Sequence, residues 1–458
     1  MAPRMSLPPG PKLPAPLQTL RYLREPYEFF QECADKYGDP FTLRLAGFPP
    51  IVVFWGPDKI KDVFTASPDD LVTGEANSIS KTFLGEFSML ALDGPQHRRH
   101  RTLLLPPFHG ERMQEYGQLM LSLMHDSIDQ MPVGREFALQ SHLQEVALQV
   151  ILRAVFGLDD DEDVRKHAKE VILKVLEAGV APGLFMRFMQ KDWGAWSPWA
   201  KFKKAKAAAD ELIISIVRKR RNQALTGRKD ILSLLLAARD EEGQPMGDEE
   251  LRDELFTLLV AGHETNASAT AWTVRRLILN PDLWKQLRDE ASGAMEDGQL
   301  VATKVAALPL LTATIHESLR IDPVVLMVVR QTKKPMRLGG VDLPAETRVI
   351  CSTYLAHNRP ERYPEPRRFD PTRFLGVKPS PFEWLPFGGG NRRCIGMAFA
   401  LYEMKMTVAA ILTRTQLRIP AGKVIKIARR GVILAPSEGM PVIMDKQALP
   451  QERRPAAA

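Results

Sequence analysis

The residues of this chain whose types and spacing could do chemistry are a cysteine in a glycine-rich loop, a carboxylate beside a hydroxyl, and a set of arginines. Cys394 lies in Phe387-Gly388-Gly389-Gly390-Asn391-Arg392-Arg393-Cys394-Ile395-Gly396, and an apolar run over 395–413 follows with Met397, Leu401, Met404 and Val408 at helical spacing. The loop therefore delivers one cysteine to the start of a helix. Unpaired backbone N–H groups and the positive end of the helix dipole favour the thiolate there, the form that ligates a metal. Glycines at 388, 389, 390 and 396 let backbone pass close to something flat, and Arg392 adds a fixed positive charge nearby. Taken alone, Cys394 would read as a small buried hydrophobe. A dinucleotide loop is excluded, because Arg393 stands where a third glycine would be needed.

The second constellation interrupts a helix. Residues 251–280, closed by Pro281, read as one helix of about 30 residues and so about 45 Å long. Its apolar pattern breaks at Ala261-Gly262-His263-Glu264-Thr265-Asn266, with apolar residues on both sides (258–260 and Ala267, Ala269, Ala271, Trp272). Glycine, glutamate, threonine and asparagine so close together are poor choices for a buried helix unless the site is used. Glu317 and Arg320 stand at i, i+3 and can pair across one helix face, a weak signal by itself. His97 and Arg101 lie one helical turn apart after Gly94-Pro95.

Composition sets the frame for these residues. The 458-residue chain is 45% hydrophobic and 26% charged, enough to bury a large core. It holds no stretch of about 18 apolar residues and no signal-peptide core, so no membrane anchor is expected and a cytoplasmic location is. Three scattered cysteines exclude a disulfide scaffold and a zinc site. The net charge of +7 is spread among acids, which reads as solvated surface, and no nucleic-acid partner is expected.

Residues 1–26 are proline-rich and read as an extended arm, residues 27–446 as a single domain, and 447–458 as a disordered tail. The segments 41–45 and 51–55 read as a hairpin, and Pro57-Asp58 opens a helix over 59–66. Residues 70–92 read as a long irregular loop, and helices dominate 112–300. The aromatic stretch 181–200, with Trp193, Trp196 and Trp199, reads as a link between helices, either core or a lid. Short strands and turns fill 323–375.

Phe387-x-x-Gly390-x-Arg392-x-Cys394-x-Gly396 resembles the haem-binding loop of the cytochrome P450 superfamily, the haem-thiolate monooxygenases. The resemblance implies the cytochrome P450 fold, mainly α with a smaller β-rich lobe. It implies haem b (iron protoporphyrin IX) ligated by Cys394 and seated on Phe387, Gly388 and Gly396, with His97, Arg101, Arg330 and Arg392 on its propionates. Glu264-Thr265 matches the family's acid-alcohol pair, which delivers protons to dioxygen; Asn266 replaces the threonine or serine that many relatives carry next. Glu317 and Arg320, joined by Arg373, match a buried brace for the cysteine loop. The pocket would be lined by residues 78–89, Val260, Ala261, Val324, Val325, Leu326, Val328, Ile433 and Leu434, chiefly apolar and suited to a lipophilic substrate. The implied reaction inserts one oxygen atom from O2 into a C–H or C=C bond, and fatty acids, terpenoids, steroids and polyketides all stay open as substrates. Electrons would come from NAD(P)H through a separate ferredoxin or flavodoxin and its reductase, drawn to Arg98, Arg99 and Arg393, and the protein would be a monomer. A peroxide-driven peroxygenase, a haem sensor or electron carrier, and a haem-free structural protein are the alternatives.

Overall fold

Large apolar residues on both sides of a short turn make the first hairpin, Phe41–Leu43 against Ile51–Phe54, as the sequence predicts. The pleat sorts its side chains. Phe41, Leu43, Ile51 and Val53 enter one apolar cluster with Phe29, Phe30 and Ile350, whereas Val52 and Phe54 enter another with Ile60, Leu338 and Val349. Strand Arg348–Ser352 pairs parallel to Ile51–Phe54, Met327–Thr332 pairs antiparallel to Arg348–Ser352, and Leu71–Val72 closes the far edge. This five-stranded sheet is the β-rich lobe. The computed structural model describes residues 6–77, 79–108, 112–159, 162–179, 184, 190, 194 and 196–447.

The rest is helical around a third, much larger apolar cluster. Its axis is the helix Asp248–Ile278, 31 residues long and hence about 46 Å. Three acids in its first turn and two arginines in its last suit the helix dipole, and the Gly247 N–H donates to Glu250 Oε2 at 2.8 Å. Leu139–Val150, Pro198–Arg221 and Met397–Arg414 pack against this long helix. Among the described residues, no helix is long and apolar enough to cross a membrane.

Two expectations need correction. Residues 1–26 are not wholly extended: Ala15–Arg24 is a helix, and Pro14 and Pro16 sit at its cap and first turn, where proline is tolerated. The stretch 70–92 is not wholly irregular, because it holds the strand Leu71–Val72 and the helix Ile79–Leu84. Ser78, most of 181–195 including Trp193, and everything after Gln447 lie outside the described residues. Trp199 packs on Phe83 and Phe202, whereas Trp196 is exposed.

Candidate active site

The cysteine loop is held at both ends by backbone. Gly388 and Gly390 have φ of +63° and +65°, a region that favours glycine, and the Cys394 N–H donates to Phe387 O at 2.9 Å. Gly396 caps the helix Met397–Arg414. At 389 and 390, what the backbone passes closely is protein: a Cβ on Gly389 would stand 2.2 Å from the Phe64 ring, and one on Gly390 2.4 Å from Phe64 O. A Cβ on Gly396 would meet nothing within 4 Å. Only that last glycine fits the flat-ligand expectation by its surroundings.

Cys394 has accessible area yet is hemmed in by protein, so its thiol faces an enclosed space. Burial pushes the thiol pKa up, opposed by the Gly396 N–H and the charges of Arg101 and Arg393. Helix position does not outweigh desolvation here, contrary to the sequence expectation; a metal's charge would supply the remainder.

Four cationic or potentially cationic side chains gather beside this space. Arg330 is 3% exposed and among the described residues donates to Val329 O (2.8 Å) and Gly389 O (3.2 Å), both neutral, and desolvation pulls it down to about 10. Arg392 donates to Met89 O at 2.9 Å, Leu92 O at 2.5 Å and Asp93 Oδ1 at 2.6 Å, and is likewise lowered to about 10. His97 is held down to about 3 by burial and then by Arg392 and Arg101, and its Nε2 has no hydrogen-bond partner among the described residues. Burial also lowers Arg101, which lies within Coulombic reach of Cys394. Against them stands Asp93, itself occupied by the Thr73, Gly74 and Glu75 N–H groups at 2.9–3.0 Å. A cluster of buried donors short of anions is what a dianion such as the two haem propionates would satisfy.

The brace is complete and extends beyond the sequence reading. Glu317 and Arg320, both fully buried, pair at 2.6 and 2.7 Å; Arg373 Nε lies 3.5 Å from Glu317 Oε1, and the Asp370 N–H donates to the same oxygen at 3.0 Å. Arg320 Nη1 donates to His357 O at 2.8 Å, and His357 Nδ1 lies 2.9 Å from Arg320 O. His357 Nε2 accepts from the Leu385 N–H at 2.7 Å, two residues before Phe387. Burial and Arg320 hold His357 down to about 3, so the neutral ring donates at one nitrogen and accepts at the other. His357 was missed. Its only sequence signal is a lone histidine after the strand Arg348–Ser352.

The long helix, which packs against Met397–Arg414, carries the interrupted turn. Ala261 is exposed although Leu259 and His263 around it are buried, which marks a void beside the helix. Thr265 Oγ1 donates to Ala261 O at 2.5 Å, the one-turn-back bond open to threonine. Glu264 turns the other way, accepting from Gln140 Nε2 at 3.0 Å, from Gln144 Nε2, and from Arg430 Nη1 at 3.3 Å. Asn266 is buried against the cysteine helix, where it hydrogen-bonds Glu403; burial pushes that carboxyl up to about 7. Gln140, Gln144, Arg430 and Glu403 escaped the sequence reading.

Of the expected pocket wall, Val260, Val325, Val328 and Ile433 are partly open, as Ala261 is fully. Val324, Leu326 and Leu434 are at most 7% exposed and belong to apolar cores. Arg99 is not free for a partner, since it binds Asp240 at 2.6 Å and Glu250 at 2.8 Å; Arg98 and Arg393 are exposed, with Arg98 3.3 Å from Asp69.

Known proteins resemble this chain in sequence and in fold. The family model described as Cytochrome P450 matches residues 8–443. Two Mycobacterium tuberculosis (strain ATCC 25618 / H37Rv) proteins, named "Putative cytochrome P450 135B1" and "Putative cytochrome P450 137", are 36% and 32% identical to the chain. The alignments cover 95% of the chain and 90% of the first relative, and 88% and 82% for the second. A solved structure described as retinoic acid bound cyanobacterial CYP120A1 superposes with a TM-score of 0.82 at 24% identity, covering 96% of this chain and 99% of that one, and so shares the fold. With a family match that runs from residue 8 to residue 443 and so takes in the His97–Arg101 helix, the Glu264-Thr265 turn and the cysteine loop, the chain belongs to the cytochrome P450 family, the haem-thiolate monooxygenases.

Proposed function

We propose that this protein inserts one oxygen atom from O2 into a lipophilic substrate by hydroxylation or epoxidation, with electrons passed from NAD(P)H by a separate ferredoxin or flavodoxin and its reductase. The observation that supports this reading is that two packed helices carry two sets of groups: Cys394, beside the anion-poor cluster His97, Arg101, Arg330 and Arg392, at the start of Met397–Arg414, and the Glu264-Thr265 turn on the long helix. The first set fits haem, with Cys394 as axial ligand and the cations on the propionates. Haem so bound would supply the electron transfer and oxygen chemistry that no side chain can, favoured by thiolate donation.

The chain's own residues hold and move protons. The Thr265 hydroxyl, pinned by Ala261 O, faces the void and can donate into it. Glu264, whose side chain is 18% exposed, can take protons from solvent. Val260, Ala261, Val325, Val328 and Ile433 exclude water and select an apolar ligand. The acid-alcohol pair favours O2 over peroxide as oxidant, since peroxide already carries its protons.

Thr265→Ala is the test. Supplied with a surrogate ferredoxin system and a ligand that shifts the Soret band, chosen from fatty-acid, steroid and terpenoid panels, the variant should consume reductant while releasing peroxide, with coupling to product reduced at least about tenfold. Equal coupling in variant and parent, or faster turnover of the parent with hydrogen peroxide alone, would end the O2-dependent reading.

A further inference from the structure

Both halves of the acid-alcohol pair are engaged elsewhere. Thr265 spends its proton on Ala261 O, and Glu264 turns toward Leu139–Val150 and the C-terminal hairpin, with Gln140 bridging it to Ser268 at 3.1 Å. Among the described residues, three side-chain donors reach the carboxylate. Two are neutral amides on a helix packed firmly against the long helix. The third, Arg430, is on a separate element, a two-stranded hairpin Ile427–Arg430 and Ile433–Pro436.

The position of Arg430 in that hairpin matters. It is cross-strand from Ile433 and precedes Gly431, whose φ of +61° makes the turn. The base is pinned, because Leu434 N donates to Val324 O at 2.9 Å and Trp272 Nε1 donates to Leu434 O at 3.1 Å. The tip is not: Val432 is 69% exposed and Ile433 partly open. One tip therefore carries both a wall residue of the candidate pocket and, among the described residues, the one cation paired with Glu264. Arg430 is itself 37% exposed, so its pairing is weak enough to be broken by a small displacement.

We propose that Arg430 is a positioning residue that holds the Glu264 carboxylate away from the Thr265 hydroxyl until substrate, pressing on Ile433, moves the hairpin tip and releases it. Once released and protonated from water, Glu264 gives a proton to the Thr265 hydroxyl as that hydroxyl passes its own onward, and water then restores the carboxyl. The inference rests on the monooxygenase reading above.

The test uses substrate-free holoenzyme with a surrogate ferredoxin, its reductase and NADPH, records the share of peroxide alongside, and reads the rate of NADPH consumption. Arg430→Leu should raise it about three- to fivefold, the factor expected from losing a half-exposed ion pair. Arg430→Lys, which keeps the charge, should stay near the parent, and Arg430→Leu with Glu264→Gln should fall back to it. An unchanged or lower leak in Arg430→Leu, or a leak that survives Glu264→Gln, overturns the clamp. The reduced carbon monoxide spectrum checks that each variant keeps its thiolate-ligated haem. Running Thr265→Ala alongside separates the failures. If that variant leaves peroxide partitioning untouched, the monooxygenase reading falls and the clamp with it; if it shifts partitioning and Arg430→Leu does nothing, the clamp alone falls.

Discussion

Glu317→Gln removes one charge from a pair in which both side chains have no exposure. The carboxylate accepts from Arg320 at 2.6 and 2.7 Å and from the Asp370 N–H at 3.0 Å, with Arg373 Nε at 3.5 Å. An amide keeps one acceptor but turns an N–H2 against the guanidinium, leaving a buried charge without its counterion. Breaking a buried pair in this way costs about 3–5 kcal/mol, a third or more of a typical folding free energy. The thermal signature should nevertheless be small. At about 2.1 cal/mol/K per residue, a chain of this length melts with an entropy near 1 kcal/mol/K, so the midpoint should drop by only ~3–5 °C. The larger effect should appear at the cysteine loop, because Arg320 holds His357 and His357 holds Leu385. Haem transfer from holoenzyme to excess apomyoglobin should quicken about tenfold or more in Glu317→Gln. The paired replacement Glu317→Leu with Arg320→Met separates charge burial from bracing: removing both charges should restore most of the midpoint, as such swaps often do, while haem loss stays fast because the contact to His357 O is gone. A single variant with parental midpoint and haem-loss rate would refute the brace, and a double variant with parental haem retention would show that only charge burial mattered.

Two further outcomes follow from buried groups near the cysteine. Glu403 is raised by burial from its ordinary 4.5 to about 7, so its contribution to stability is present below the lower value and is lost as pH rises through the higher one. Glu403→Gln should therefore flatten the fall in holoenzyme midpoint between pH 4.5 and about 7, with a ceiling of about 3 kcal/mol or ~3 °C; an undiminished slope would mean that other groups cause it. Gly389→Ala places a methyl 2.2 Å from the Phe64 ring at an extended φ of −164°, so the penalty is steric alone, about 1–3 kcal/mol, with reduced haem content. Phe64→Ala in the same chain should recover the haem, and parental haem content in the single variant would show that the loop yields freely.

What could be read from sequence was what the chemistry fixes locally. A metal ligand in a turn before a helix needs its glycines and arginine at set distances along the chain, so the cysteine loop was legible. Glu317 and Arg320 share one helix face and were legible too, but their continuation runs through His357 and Leu385, 37 and 28 residues apart in sequence along the chain of contacts, and nothing local announces it. Glycine reports a need for room without naming the neighbour. At 389 and 390 the neighbour is Phe64, which the helix Pro57–Thr65 brings from the other end of the chain. The pocket wall was half legible for a simpler reason: an apolar run does not say which residues turn inward, and Val324, Leu326 and Leu434 complete cores while Val325, Val328 and Ile433 stay partly open.

Asn266 shows how geometry can relocate a residue's meaning. In sequence it stands where relatives extend the alcohol pair, and so reads as a change in proton delivery. Successive helix residues, however, point about 100° apart. Thr265 faces the void, Glu264 faces the glutamines of Leu139–Val150, and Asn266 turns to the cysteine helix, where it meets Glu403. The substitution thus alters the contact between the oxygen-side and cysteine-side helices, and leaves the hydroxyl and its carboxylate as they were. If so, Asn266→Ala should steepen the pH dependence of stability that Glu403→Gln flattens, since the Asn266 amide holds the Glu403 carboxyl down against burial, while peroxide partitioning stays parental. Uncoupling comparable to that of Thr265→Ala would instead return Asn266 to the relay.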